Sequence, residues 1–136
     1  MRSDRGSMTL WVLGLSVLML AFGGLALDYW RALALQRELA SVADSAAVAA
    51  ASGIDEEIYR SSGDVVLDAQ RSRLLATAAV EWQEMDILDS QVDVAPASVT
   101  VTLTAEIELG LFRILVDQDD PMTVRASATA VPELIP

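Results

Sequence analysis

The chain has 136 residues and a net charge of −11, with 9 Lys plus Arg against 20 Asp plus Glu, and it contains no Cys and no His. This length leaves room for one domain besides an anchor, and the acidic balance argues against a nucleic-acid partner, which requires a basic patch. Without Cys there is no disulfide or thiolate metal site, and without His the commonest general base and metal ligand are missing. Enzymes can work with carboxylates alone, so this composition disfavours catalysis without excluding it. We predict no metal and no cofactor.

The first element is an uncharged apolar segment at residues 8–27, in which only Thr9 and Ser16 are polar. As a helix rising about 1.5 Å per residue, a segment of about 20 residues covers the roughly 30 Å core of a bilayer. We predict a short cytoplasmic leader at residues 1–7 and a transmembrane segment at residues 8–27. The lipid bilayer is therefore one expected partner.

The charges on the two sides of this segment predict its orientation. Arg2 and Arg5 precede it, whereas 7 Arg and 19 acidic residues follow it, which gives the following part a charge of −12. The positive-inside tendency favours a cytoplasmic N-terminus. We expect a single-pass protein of the cell (inner or cytoplasmic) membrane whose C-terminal domain is extracytoplasmic.

Two processing events are alternatives to an intact chain. Gly24-Leu25-Ala26 has the small-residue pattern of a signal-peptidase site, and cleavage there would release a small secreted domain. The second alternative is leader processing after Gly6, in the manner of prepilins. Trp11 stands where processed type IV pilins usually carry Glu, five residues after the cleavage.

Residues 28–52 are predicted to continue the helix beyond the membrane, because they contain no Pro or Gly and are rich in strong helix formers. Apolar residues recur there at helical spacing: Leu35, Leu39, Val42, Ala43, Ala46, Ala47 and Ala50. We predict one helix over residues 9–51, ended by Ser52-Gly53. Its small residues permit close approach of another element.

Five residues of this helix are candidates for helix packing or assembly: Asp28, Leu39, Ala43, Asp44 and Ala47. Asp28 either closes the span at the interface or pairs with a neighbouring subunit's helix or a terminal amine. Asp44 is a structural pair or cap, a simply exposed side chain, or an assembly contact. If Asp44 were buried against a sheet it would need a partner such as Arg125, since an unpaired buried charge is costly.

Residues 53–136 are expected to form a small domain with a second helix and an antiparallel sheet. We predict a connector at residues 54–63, an N-cap at Asp64 and an amphipathic helix over 65–84. Period-two alternation then predicts strands around residues 92–94, over 98–109 and over 122–130. The fold class is α+β: a long N-terminal membrane-spanning helix that continues into a small domain with a second helix and an antiparallel sheet of about three strands.

Several acidic residues of this domain are candidate functional groups. Asp117, Asp119 and Asp120 follow a short apolar cluster at 111–116, but they lack the spacing and closing Glu of an EF-hand, which favours a solvated turn. Glu81 with Glu84, and Glu106 with Glu108, form carboxylate pairs of the kind used in glycoside hydrolysis. Nothing else in the sequence builds a sugar cleft, so we predict no catalytic residue.

Residues 5–53 resemble the TadE/TadG-like proteins of the Tad (Flp) pilus assembly system. The resemblance rests on Arg5-Gly6 in the leader, on Leu25-Ala26-Leu27-Asp28 at the end of the span, and on the segment Leu-Ala-Ser-Val-Ala-Asp-Ser-Ala-Ala-Val-Ala-Ala at residues 39–50. Ala40 replaces a Gln that is frequent in the family. The short strands beyond this segment are similar, less specifically, to a TadE-type domain.

This resemblance implies a non-catalytic, membrane-anchored component, a minor pilin or pseudopilin, in the assembly of a Tad-type pilus or secretion apparatus at the cell surface. Its expected partners are other pilus or secretion components in the membrane, as a homo- or hetero-oligomer. A membrane-tethered extracellular binding module unrelated to pili is the alternative from another class.

Overall fold

The computed structural model describes residues 4–110 and 121–133. Within them the helices are α1 (Asp4–Ala51), α2 (Glu56–Ser62) and α3 (Ala69–Glu81), and the strands are β1 (Asp89–Ala95), β2 (Ser98–Ile107) and β3 (Met122–Ala130). The strands form one antiparallel sheet in the order β1-β2-β3. A long apolar helix followed by shorter helices and a three-stranded sheet confirms the α+β prediction.

Helix α1 runs through 48 residues without a break, which at the helical rise is roughly 70 Å. It ends where the Gly53 amide bonds to the Ala50 carbonyl and α3 crosses close by. A Cβ on Gly53 would lie 2.7 Å from Ser72 Oγ and 2.9 Å from the Ser72 nitrogen. Only glycine fits this crossing, so the residue that ends α1 also lets α3 pack against it.

The sheet packs against the second half of α1, and α3 packs on the same helix. Along β2 the predicted alternation is confirmed: Val101 and Leu103 are fully buried, whereas Thr100 and Thr102 lie on the partly exposed face. The core is built from apolar residues of α1, most of them alanines, and of β2: Leu39, Val42, Ala43, Ala46, Ala47, Ala50, Val99, Val101, Leu103 and Ala105. Burial of this apolar surface holds the C-terminal module (residues 53–110 and 121–133) on α1.

The expectation of a connector at residues 54–63 was wrong, because Glu56–Ser62 forms α2. The Asp55 side chain caps it by accepting hydrogen bonds from the amides of Glu57 and Ile58. Gly63, with φ at 79°, ends it in the left-handed conformation that glycine adopts without strain. These are ordinary start and stop signals of a short helix.

The predicted N-cap at Asp64 was also wrong, because α3 is capped by Asp68, which accepts from the amides of Gln70 and Arg71. The preceding backbone is extended and already bonded: the Leu67 amide donates to the Pro96 carbonyl, and the Val66 carbonyl accepts from Asp55. A helix starting at residue 65 would sacrifice these bonds, so α3 begins only after them.

The strand bounds differ from the predictions by a few residues. β1 begins at Asp89 and pairs with β2 from Asp89↔Thr104 to Ala95↔Ser98. β2 leaves the ladder after Ile107, two residues before the alternation ends, and the chain turns towards α1. The short apolar cluster at 111–116 and the acidic turn at 117–120 lie outside the described residues.

Candidate assembly surfaces on the long helix

The first half of α1 presents its apolar side chains outward. Twelve large apolar residues between positions 8 and 27 each expose at least 47% of their surface, and none of the most apolar 18-residue window, of mean hydropathy 2.2, is buried in the fold. A helix of this length and composition can cross a membrane. An apolar surface this large on one helix requires lipid or a partner to cover it.

Asp28 marks the end of the span and is only 5% exposed. The amide of Gly110, just beyond β2, donates a hydrogen bond to Asp28 Oδ1 at 3.2 Å. This hydrogen bond gives the buried Asp28 side chain a polar partner, which offsets part of the cost of removing it from water. The pair joins the module to α1 at the level where the span ends.

The three apolar residues among the candidates for helix packing lie inside the chain's own fold. Leu39, Ala43 and Ala47 are fully buried in the core shared with β2 and β3. From Asp28 to Ala51 α1 rises about 35 Å, close to the roughly 33 Å length of a ten-residue strand such as β2. The core contacts of α1 run from Leu35 to Ala51, and the segment after β2 reaches Asp28.

The opposite face of this half-helix is open. Asp44 is exposed there with Arg37, Glu38, Ser41 and Val48. The salt bridges among the described residues both involve Glu56, so the pairing of Asp44 with Arg125 considered from the sequence is not formed. The sequence did not predict a role for Arg37 and Glu38. The exposed residues around them recur every seven positions, and this spacing can be seen in the sequence.

Gly6, the candidate processing residue, lies within the first turns of α1. Trp11, five residues later, exposes 77% of its surface in the span. The backbone is helical from Asp4 onward, so the described part of the leader and the apolar segment belong to one continuous helix.

The two carboxylate pairs named from the sequence lie on the surface of the module. Glu81, Glu84, Glu106 and Glu108 are all exposed. Among residues 4–110 and 121–133 no cluster of three or more His, Cys, Asp or Glu side chains could hold a metal ion.

The charged pairs lie at the far end of the module. Glu56 bonds Arg60 at 2.8 Å and Arg71 at 3.0 Å, and the Arg71 hydrogen bond, with the charges of Arg71 and then Arg60, lowers the pKa of the Glu56 carboxyl. This ion-pair cluster ties α2 to α3.

Residues 6–53 match the model of a protein family described as "Putative Flp pilus-assembly TadE/G-like". This confirms the resemblance seen in the sequence over the apolar segment and the second half of α1. A domain of this family implies a role in Flp pilus assembly in association with the pilus machinery, and the family is generally structural rather than catalytic. No curated protein and no solved structure matches the chain.

Proposed function

From a chain whose residues 6–53 form a TadE/G-like domain, we propose a single-pass, non-catalytic membrane component of a Tad-type pilus or secretion apparatus, acting as a minor pilin or pseudopilin. The observation that carries the proposal is the division of α1. Its first half is apolar and uncovered, as a helix in lipid is, and its second half is the spine of a folded module. The family match covers both halves.

The geometry supports a role in assembly through shape. Because α1 is continuous, the module is held at a fixed height above the span. The Asp28–Gly110 hydrogen bond supports a module whose lower edge lies at the end of the proposed span. A rigid rod with a laterally exposed helix face offers contacts to other helices in the membrane and to other components above it.

The proposed orientation has the N-terminus in the cytoplasm and the module outside the cell membrane. It is supported by Arg2 and Arg5 before the span and by the charge of −12 after it. The absence of Cys allows a direct test, in which one cysteine at a time is introduced and labelled with a maleimide that cannot cross the membrane.

Position 61 is exposed on α2, and we expect the Ser61→Cys variant to be labelled in spheroplasts whose inner membrane is intact. The matched Ser7→Cys variant should be labelled only after lysis. The chain should stay in the membrane pellet after an alkaline wash. A soluble chain lacking its first 26 residues would instead show release by signal peptidase. If only the Ser7→Cys variant were labelled in the intact spheroplasts, the orientation would be the opposite of the one proposed.

The role in pilus assembly is tested in the organism that makes the chain. Deletion of its gene should abolish the surface filaments that are recovered by shearing the cells. Expression of the full chain should restore these filaments. A deletion strain with normal filaments would favour the alternative, a membrane-tethered binding module unrelated to pili.

Processing after Gly6 is separable from this role, because the apolar span begins beyond it in either case. The intact mass of the chain recovered from membranes decides it. A mass lowered by residues 1–6 shows that the leader is removed, and the mass of the full chain shows that it is kept.

A further inference from the structure

The face of α1 that points away from the sheet carries a line of residues seven positions apart. Leu27, Ala34, Ser41 and Val48 are all exposed, with 62% of Leu27 and 60% of Val48 open. Seven residues make nearly two turns of an α-helix, so these side chains lie almost above one another. The line follows the centre of the uncovered face from the span to the top of the helix.

Three pairs of consecutive residues lie on the two sides of this line: Trp30 and Arg31, Arg37 and Glu38, and Asp44 and Ser45, all exposed. Successive helical residues are about 100° apart, so each pair puts one member on each flank. The two salt bridges among the described residues do not use Arg37 or Glu38. The face thus presents opposite charges on its two flanks at the same height.

We propose that this face binds the same face of a second copy of the chain, parallel and in register. A two-fold axis along the helices brings the left flank of one copy against the right flank of the other. Arg37 of each copy then faces Glu38 of the other, on both sides of the seam. The inference rests on the proposed function in one respect, the membrane anchor, which keeps the two copies parallel.

The pair of Trp30 and Arg31 is complementary in the same arrangement. Arg31 of one copy faces Trp30 of the other, a cation–π geometry. The central residues Ala34 and Ser41 are small, which lets the two backbones come close. The Ser45 hydroxyl already donates to the Ser41 carbonyl at 2.9 Å, so it has a partner when water is excluded.

The charges also select the register. If one copy slips by seven residues, Arg37 faces Arg31 and Asp44 faces Glu38 on one side of the seam, which is repulsive. Exposed ion pairs contribute little affinity individually. Their arrangement instead disfavours the slipped state, as flanking charges do in coiled coils.

Cysteine crosslinking of the full chain in native membranes tests the contact, since the chain has no cysteine of its own. We expect the Ser41→Cys variant to form a crosslinked dimer with a short bis-maleimide. The matched control is Ala40→Cys, exposed on the same helix but about 100° around it, which should give several-fold less dimer. Equal yields from the two variants, or no dimer from Ser41→Cys, would overturn the proposal.

Charge reversal tests the pairing in the Ser41→Cys background. Arg37→Glu and Glu38→Arg should each reduce the dimer several-fold, because each places like charges across the seam. The double variant Arg37→Glu/Glu38→Arg should restore it. A double variant as weak as the single variants would count decisively against the pairing.

Mixing two variants tests the register. Chains with Ala34→Cys and with Ser41→Cys should each crosslink to themselves, and a dominant crosslink between positions 34 and 41 would show a slipped arrangement instead. The membrane pellet is assayed in parallel. If the chain is found outside the membrane, the anchor proposal and this inference fail together; if it is in the membrane without the Ser41→Cys dimer, only this inference fails.

Discussion

Gly110 and Asp28 are 82 positions apart in the chain, yet the amide of Gly110 donates to Asp28 Oδ1 at 3.2 Å. This hydrogen bond joins the segment after β2 to α1 where the apolar span ends. It shows that the module is attached along the full second half of the helix, from Ala51 at the top to Asp28 at the bottom.

Removal of the acceptor at this junction should destabilise the module. Asp28→Ala leaves the Gly110 amide without this partner, and we expect a loss of about 1–3 kcal/mol in the free energy of unfolding. Asp28→Asn keeps an oxygen acceptor and should lose less. Urea unfolding of the detergent-solubilised full chain measures both, and an Asp28→Ala variant as stable as the parent would refute a structural role for this hydrogen bond.

The small residues on the buried face of α1 set the distance between helix and sheet. Ala43 is fully buried against the sheet, so Ala43→Leu should overpack the core and cost about 1–3 kcal/mol. The matched control Ala40→Leu lies on the exposed surface of the same helix and should change stability by less than about 0.5 kcal/mol. Thermal unfolding followed by circular dichroism compares the two; similar losses would mean that position 43 is not closely packed.

The cap of α3 distinguishes two aspartates that look alike in the sequence. Asp68 accepts from the amides of Gln70 and Arg71, so Asp68→Ala should cost about 1 kcal/mol. Asp64 is exposed and caps no helix, and Asp64→Ala should be close to neutral. The two variants are compared by urea unfolding, and a larger loss for Asp64→Ala would move the start of α3 back to the position predicted from the sequence.

The ion-pair cluster between α2 and α3 predicts a pH dependence. Folding lowers the pKa of Glu56, chiefly through the Arg71 hydrogen bond. A carboxyl whose pKa is lowered by folding contributes stability above its unfolded pKa, and this contribution is lost as the pH falls through the folded pKa. The carboxylate is solvent-exposed, so the effect on global stability should be small.

The pKa itself is the sharper measurement. Arg71→Ala should raise the pKa of Glu56 towards its ordinary value, and Arg60→Ala should raise it less, because Arg71 supplies both the hydrogen bond and the larger charge effect. Carbon-detected NMR titration of the Glu56 side chain resolves the two variants. A larger rise in Arg60→Ala would reverse the order of the two partners.

The sequence by itself determined the elements whose signal is local. The absence of Pro and Gly from residues 28 to 52 fixed the continuation of α1, and the alternation from Ser98 fixed the two faces of β2. Both signals report a backbone period, and a period is a property of neighbouring residues. The Ala-rich stripe also indicated correctly which face of α1 would be covered.

Only the tertiary structure decided which of several similar aspartates took a structural role. Asp64 and Asp68 are both plausible caps, and the choice fell to Asp68 because the backbone at Val66 and Leu67 was already bonded to distant segments. Asp28 found its partner in Gly110, which no local pattern marks. Such pairings depend on which distant segments pack together in the folded chain. That packing results from the free energies of many contacts, so no single segment of the sequence predicts it.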